Sequence, residues 1–273
     1  MDLKTLTECE SFAIAIAIKA GEMMKSMSGR CKQIEEKQNY ADIVTEADKA
    51  IESFVFEELR KQFPTHKLIG EETASKAVFT DDPTWIVDPI DGTTNFVHTF
   101  PFCCISIGLA VNKKCVVGVI YSPFLDKLYT AKKGCGAYCN GAPIRVHNCT
   151  SFQQALFICE MGNQRDDEKR KAVFANMEAV GWKCHGLRCM GSAALNICMV
   201  ASGFAEAYWE FGLHCWDMAA GAIIASEAGG VVIDTEGGEF DLMSRRLIVA
   251  CNESIATQLS KELPVHLKLE RDD

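Results

Sequence analysis

The stretch Trp85-Ile86-Val87-Asp88-Pro89-Ile90-Asp91-Gly92-Thr93-Thr94-Asn95-Phe96 sets two carboxylates, Asp88 and Asp91, between an apolar run and a polar turn. Trp85-Ile86-Val87 reads as the end of a buried strand. Pro89 removes a backbone donor and disfavours helix at Asp88, so the chain is expected to turn there. Gly92 leaves room for another group to approach closely. Thr93, Thr94 and Asn95 are residues that start helices. The pattern therefore places paired acids beside a helix N-terminus. Carboxylates gather hard divalent cations such as Mg²⁺, and free N–H groups at a helix start attract phosphate. Metal and phosphate on one turn point to phosphoryl chemistry.

Outward from this stretch, helices and strands mix along the whole chain. Residues 5–27 predict a mostly buried helix, and the polar residues 28–41 a loop or short hairpin. Thr45 starts a second helix, with Asp48 three residues on as a variant capping box and Pro64 closing it. Leu68-Ile69 is a short strand running into Gly70-Glu71-Glu72-Thr73, and residues 74–84 read as loop. Cys103–Val111 and Cys115–Tyr121 form a hairpin across Asn112-Lys113-Lys114. A strand at 127–132 and a turn at 134–141 follow. The second half gives a strand at 156–160, helices at 166–180 and 191–202, and a strand at 203–209. A helix opened by Asp217 and closing strands at 231–234 and 247–250 complete it. The mixture predicts a layered α/β (α+β) fold. The whole of 1–273 reads as one domain, with halves of about 1–145 and 146–273.

The formal charge of −9 argues against a nucleic-acid partner. It also makes an anionic substrate a problem that bound cations would solve. The fourteen cysteines are scattered over apolar and helical positions with no CxxC pair, and they read as reduced thiols. Met1-Asp2-Leu3-Lys4 does not resemble a signal peptide, and the apolar run Phe12–Ile18 is too short to span a bilayer. A cytoplasmic protein with no membrane partner is expected.

Glu71, Asp88, Asp91 and Asp217 each lie where a strand stops or a helix starts, where α/β folds place their sites. Carboxylates brought together repel unless cations neutralise them. Paired ions ~4 Å apart can clamp both the attacking and the leaving oxygen of an in-line displacement. Taken singly, these residues have plainer readings. Asp88 and Asp91 serve equally as turn residues, Glu71-Glu72 as a solvated loop, and Asp217 as a first-turn acid.

Taken together the motifs resemble the inositol monophosphatase family, a group of Mg²⁺-dependent, Li⁺-sensitive sugar phosphatases. The matching segments are WIVDPIDGTTNF at 85–96, GEET at 70–73 and WDMAAGAIIASEAGG at 216–230. DIVTEAD at 42–48, GSAALN at 191–196 and FDLMSRR at 240–246 support them. The resemblance covers nearly the whole chain. It implies an alternating αβαβα sandwich and hydrolysis of myo-inositol monophosphates in inositol recycling. Two or three Mg²⁺ ions would be held by Glu71, Asp88, the Ile90 carbonyl, Asp91 and Asp217. Glu71 and Thr93 would position and activate a water, with Asp48 supporting Thr93. The backbone amides of Gly92 and Thr93 would hold phosphate. Gly191, Ser192, Ala193 and Glu210 would meet inositol hydroxyls, with Asp91 and Asp217 close to the substrate. Lys37 matches a loop lysine and reads equally as a solvated residue, while His214 reads as a supporting or structural neighbour. A homodimer is implied.

A bisphosphate nucleotidase or a fructose-1,6-bisphosphatase would share the metal acids but needs contacts for a second phosphate or a base. A scaffold that kept only the fold would be expected to lack one metal acid or Thr93, and neither is missing. Asp91→Asn is expected to remove Mg²⁺-dependent turnover while leaving the fold.

Overall fold

Asp2 accepts a hydrogen bond from Thr5 N and opens α1 (Leu3–Met27). The computed structural model describes residues 1–29, 34–73 and 78–273, so parts of the 28–41 and 74–84 loops lie outside the described residues. β1 (Ile34–Glu36) and β2 (Ile43–Thr45) pair antiparallel, giving the short hairpin. The capping box forms at the start of α2 (Glu46–Gln62), where Asp48 Oδ2 accepts from Thr45 N.

Seven strands lie side by side in chain order: β3 (Lys67–Gly70), β4 (Thr84–Asp91), β5 (Cys104–Val111), β6 (Lys114–Ser122), β7 (Lys127–Lys132), β8 (Ala137–Cys139) and β9 (Ala142–Ile144). β3 and β4 run parallel and the rest antiparallel. The β5–β6 turn falls at Asn112 and Lys113, both at positive φ, the backbone of a tight hairpin. β8 falls inside the expected 134–141 turn and β9 just beyond it, because three-residue strands carry too little alternation to register.

The expected end of β4 is corrected. The strand runs on through Pro89 to Asp91, with a register shift between Asp88 and Asp91. A bulge tolerates proline because no ladder hydrogen bond is required there. α3 (Thr93–Val97) follows at once.

The second sheet has the order β11 (Gly186–Arg188), β10 (Leu156–Cys159), β12 (Ala207–Phe211), β14 (Arg246–Ala250), β13 (Val231–Ile233). α5 (Ala193–Ala201) and α6 (Cys215–Glu227) fill the space between the sheets. α1 and α2 cover the outer face of the first sheet. α4 (Asp167–Gly181) and α7 (Glu253–Glu262) cover that of the second. The layers therefore alternate αβαβα. A Cβ at Gly118 would collide with the Ala220 carbonyl, so α6 lies directly on β6. No described helix is long and apolar enough to cross a membrane.

Candidate metal centre

The β4 bulge delivers Asp88 and Asp91 to one end of the first sheet, and α6 delivers Asp217 from the central layer. Ligand oxygens of these three residues lie within 4.8 Å of one another. Ile90 N donates to Asp88 Oδ1 at 3.0 Å, which fixes the bulge. Asp217 does not open α6 as expected; the helix begins at Cys215. The third-position carboxylate instead reaches back and accepts from His214 N at 2.7 Å, the return half of a capping box.

Burial raises all three carboxyl groups, and their mutual charges push the same way. Asp88 is held well above the usual carboxylate range by burial, then by the charges of Glu71, Asp91 and Asp217. Asp217 is likewise raised by burial and by Asp91. Burial pushes Asp91 up to about 6, against hydrogen bonds from Ser192, Ala194 and Ala193. Burial takes Glu71 to about 7, with the nearby Lys37 charge opposing it.

Asp91 has a second task that the sequence did not reveal. Its carboxylate accepts from Ser192 Oγ at 2.5 Å, Ala194 N at 2.7 Å and Ala193 N at 3.2 Å. It thus satisfies the free N–H groups at the start of α5, which begins at Ala193 with Ser192 as its cap.

Thr93 Oγ1 lies 3.1 Å from the Ile90 carbonyl and 3.3 Å from Asp48 Oδ1. Asp48 takes Thr45 N and Thr45 Oγ1 on its other oxygen at 2.8 and 2.6 Å. Burial pushes its carboxyl up to about 6. Lys37 is no free solvated residue: its ammonium reaches Glu71 at 2.8 Å and Glu72 at 2.7 Å. Burial would lower its pKa, but the two carboxylates together hold it above the ordinary value.

A cleft of about 320 Å³ is lined by Glu71, Asp88, Ile90, Asp91, Gly92, Thr93, Gly191, Ser192, Ala193, Glu210 and Asp217, among others. Asp48 and Lys37 stand behind this lining. Gly92 has φ +92°, and a Cβ there would meet the Gly191 and Phe102 carbonyl oxygens at 3.0 and 3.1 Å. The absence of a side chain lets the metal loop touch the start of α5. Asn95 Nδ2 locks this junction by donating to Met190 O at 2.7 Å and Phe102 O at 2.8 Å. Glu210, on β12, accepts from Tyr208 Oη. Burial and the charge of Glu160 push its carboxyl up to about 8, against the Lys169 charge.

Several supporting residues were not anticipated. Glu160 Oε1 accepts from Met190 N at 2.6 Å, Gly191 N at 2.8 Å and Asn196 Nδ2 at 2.8 Å. Its place just past β10 was the available signal, since other acids of the cleft also lie at strand ends. Asp272 accepts from Cys215 N at 2.8 Å and pairs with His214 Nδ1 at 2.7 Å. Nothing local in the sequence links it to a helix that starts 57 positions earlier in the chain. The His214 ring stacks on Trp216 at 4.5 Å.

The profile of the inositol monophosphatase family matches residues 5–267. The chain belongs to that family. It is a phosphoric monoester hydrolase. Inositol monophosphatase 1 of Rattus norvegicus is 46% identical over 97% of each chain. The solved inositol monophosphatase from Anabaena (Nostoc) sp. PCC 7120 is 33% identical, with a TM-score of 0.82 over 95% of this chain and 96% of that one. A structure of SaIMPase-II bound to inositol monophosphate is 29% identical, with a TM-score of 0.77 over 93% of both chains. The Asp88–Asp91–Asp217 cluster fits the metal binding expected of this family.

Proposed function

We propose that this inositol monophosphatase family member hydrolyses myo-inositol monophosphates to inositol and phosphate, with Mg²⁺ held by Glu71, Asp88, the Ile90 carbonyl, Asp91 and Asp217. The observation that carries the reading is the approach of two buried aspartates, Asp88 and Asp91, and the half-buried Asp217 to within 4.8 Å in a cleft. Such a donor set is hard, anionic and self-repelling, and it suits small dications. Bound Mg²⁺ would supply positive charge to the phosphate oxygens and make a water more acidic.

The residues of the chain do the rest. Thr45 saturates one oxygen of Asp48, leaving the other for the Thr93 hydroxyl. With its proton directed to Asp48, Thr93 Oγ1 can accept a hydrogen bond from the attacking water and so aim it. Glu71, which lines the same cleft, would take the proton that the attacking water gives up. The amides of Gly92 and Thr93 would hold phosphate oxygens. Asp217 would orient the water that protonates the departing inositol oxygen. Gly191, Ser192, Ala193 and Glu210 would line the ring side of the cleft. Monoester hydrolysis needs enhancements of up to ~10²¹, and preorganised charge of this kind is the largest available contribution.

We also infer a single functional unit spanning both sheets, a cytoplasmic location and a homodimer. The location rests on the fourteen scattered cysteines read as reduced thiols, and the homodimer on family resemblance. Phosphate release from inositol 1-phosphate, inositol 4-phosphate, 2′-AMP and fructose 1,6-bisphosphate, each with and without Mg²⁺, tests the function. Mg²⁺-dependent release from the inositol monophosphates is expected. Turnover of fructose 1,6-bisphosphate in their place would overturn the reading.

A further inference from the structure

β10 and β11 pair in parallel, with Ile158 opposite Arg188. The residue after each of these is a cysteine: Cys159 closes β10, and Cys189 comes directly after the end of β11. Neighbouring strands lie ~4.8 Å apart, inside the ~4.4–6.8 Å Cα separation that a disulfide spans. Residues in register on adjacent strands point to the same face. Two positions back, Phe157 and Leu187 share that face in the outer hydrophobic cluster. The two side chains are close enough for each thiol to perturb the other. Cys159 is buried and Cys189 exposed. Geometry and access therefore distinguish an outer sulfur that can meet a reagent from an inner one that can meet only its neighbour.

We propose that Cys159 and Cys189 form a reactive dithiol, which a hydroperoxide oxidises to a disulfide stapling the Gly191–Ala193 segment to the end of β10. The neighbouring Cys159 thiol holds the Cys189 thiol below its ordinary value, and the same closeness together with burial raises Cys159. Cys189 is therefore the thiolate that attacks first. Its sulfur attacks a peroxide oxygen, the O–O bond breaks, and water leaves after protonation. Cys189 becomes a sulfenic acid. The Cys159 sulfur then attacks the Cys189 sulfur, the S–O bond breaks, and the Cys159 proton departs with the hydroxide as a second water. Two thiols and one hydrogen peroxide give one disulfide and two waters.

The staple would act on the cleft. Glu160 follows Cys159 and holds Met190 N and Gly191 N, and Gly191 lies two residues beyond Cys189. A disulfide sulfur pair sits at ~2.05 Å, closer than two unbonded thiols can approach, so bond formation draws the segment toward β10. This kinetic consequence rests on the proposed contact of Gly191–Ala193 with inositol; the linkage itself does not.

The test treats the full reduced chain with hydrogen peroxide, blocks remaining thiols and maps peptides without reductant. A peptide linked through Cys159 and Cys189 and cleaved by dithiothreitol is expected. In Cys159→Ser no such link forms, and Cys189 is trapped as sulfenic acid by a 1,3-diketone. Full blocking of both thiols after peroxide, or linkage of Cys189 to a different cysteine, would overturn the proposal. The KM for inositol 1-phosphate should rise several-fold on oxidation, recover with dithiothreitol, and not respond to peroxide in Cys189→Ser. A linked peptide with unmoved KM would contradict the placing of Gly191–Ala193 against the ring while leaving the dithiol intact.

Discussion

Asp88 and Asp91 look alike in sequence, yet the structure gives them different burdens. Asp91 accepts three hydrogen bonds from the start of α5. An amide at this position offers one acceptor oxygen and turns its NH₂ toward a donor. Asp91→Asn should therefore abolish Mg²⁺-dependent turnover and also cost ~1–3 kcal/mol of stability, read as a lower midpoint in urea. The expectation that this variant leaves the fold intact is revised for that reason. Asp88 accepts only the adjacent Ile90 N among the backbone donors identified, and it faces the Asp217 carboxyl. Asp88→Asn removes one of four mutually repelling charges and can donate to Asp217. It should also lose turnover, while its chelated form unfolds at the same or higher urea than chelated wild type. A marked destabilisation of Asp88→Asn, with none in Asp91→Asn, would contradict this assignment of burdens.

At the scale of elements, the start of α6 is held by two groups from elsewhere in the chain. Asp217 covers His214 N and Asp272 covers Cys215 N. Asp272→Ala should cost ~1 kcal/mol, the usual loss of a helix cap. It should also weaken Mg²⁺ binding ~10-fold, as loss of a supporting hydrogen bond typically does. Titration calorimetry with Mg²⁺ would read this, and wild-type affinity in the variant would refute the coupling. Gly92→Ala at φ +92° with carbonyls at 3.0 and 3.1 Å should cost ~1–3 kcal/mol and raise KM by spreading the Gly92–Gly191 junction. Much of this scale was legible. The helical spacing of Ala47, Ile51, Phe54, Val55 and Leu59 predicted α2, and the polar stretch Asn112-Lys113-Lys114 predicted the β5–β6 turn. The strand through Pro89 was missed because a bulge is a property of two strands, and one strand alone shows only the proline. The C-terminal helix α7 also went unread. The sulfur pair and the Asp272 contact were hidden because strand register and tail docking are tertiary facts.

For the molecule as a whole, the αβαβα order follows from alternating apolar elements that each need covering. The identity of the acids that would meet was readable from motif resemblance, whereas their mutual approach required the sandwich to close. That closure brings negative charge together. Asp48, Glu71 and Asp91 are pushed to about 6, about 7 and about 6 by burial first. Each folded value exceeds the unfolded one, so between the two the folded chain binds more protons. The contribution of these groups is thus fully present below the unfolded values of ~4 and is lost as pH rises through 6 to 7. Mg²⁺ needs the deprotonated carboxylates. The gain in melting temperature from Mg²⁺ over chelator should therefore be small at pH 5 and larger at pH 8. An equal or reversed gain would disprove this coupling.

The most direct measurement is phosphate release from inositol 1-phosphate by chelator-treated protein as Mg²⁺ is added back, for wild type and for folded Asp217→Asn. The account expects almost no release without Mg²⁺, saturable recovery in wild type and no recovery in the variant. Undiminished release from the chelated protein, or wild-type recovery in Asp217→Asn, would contradict it.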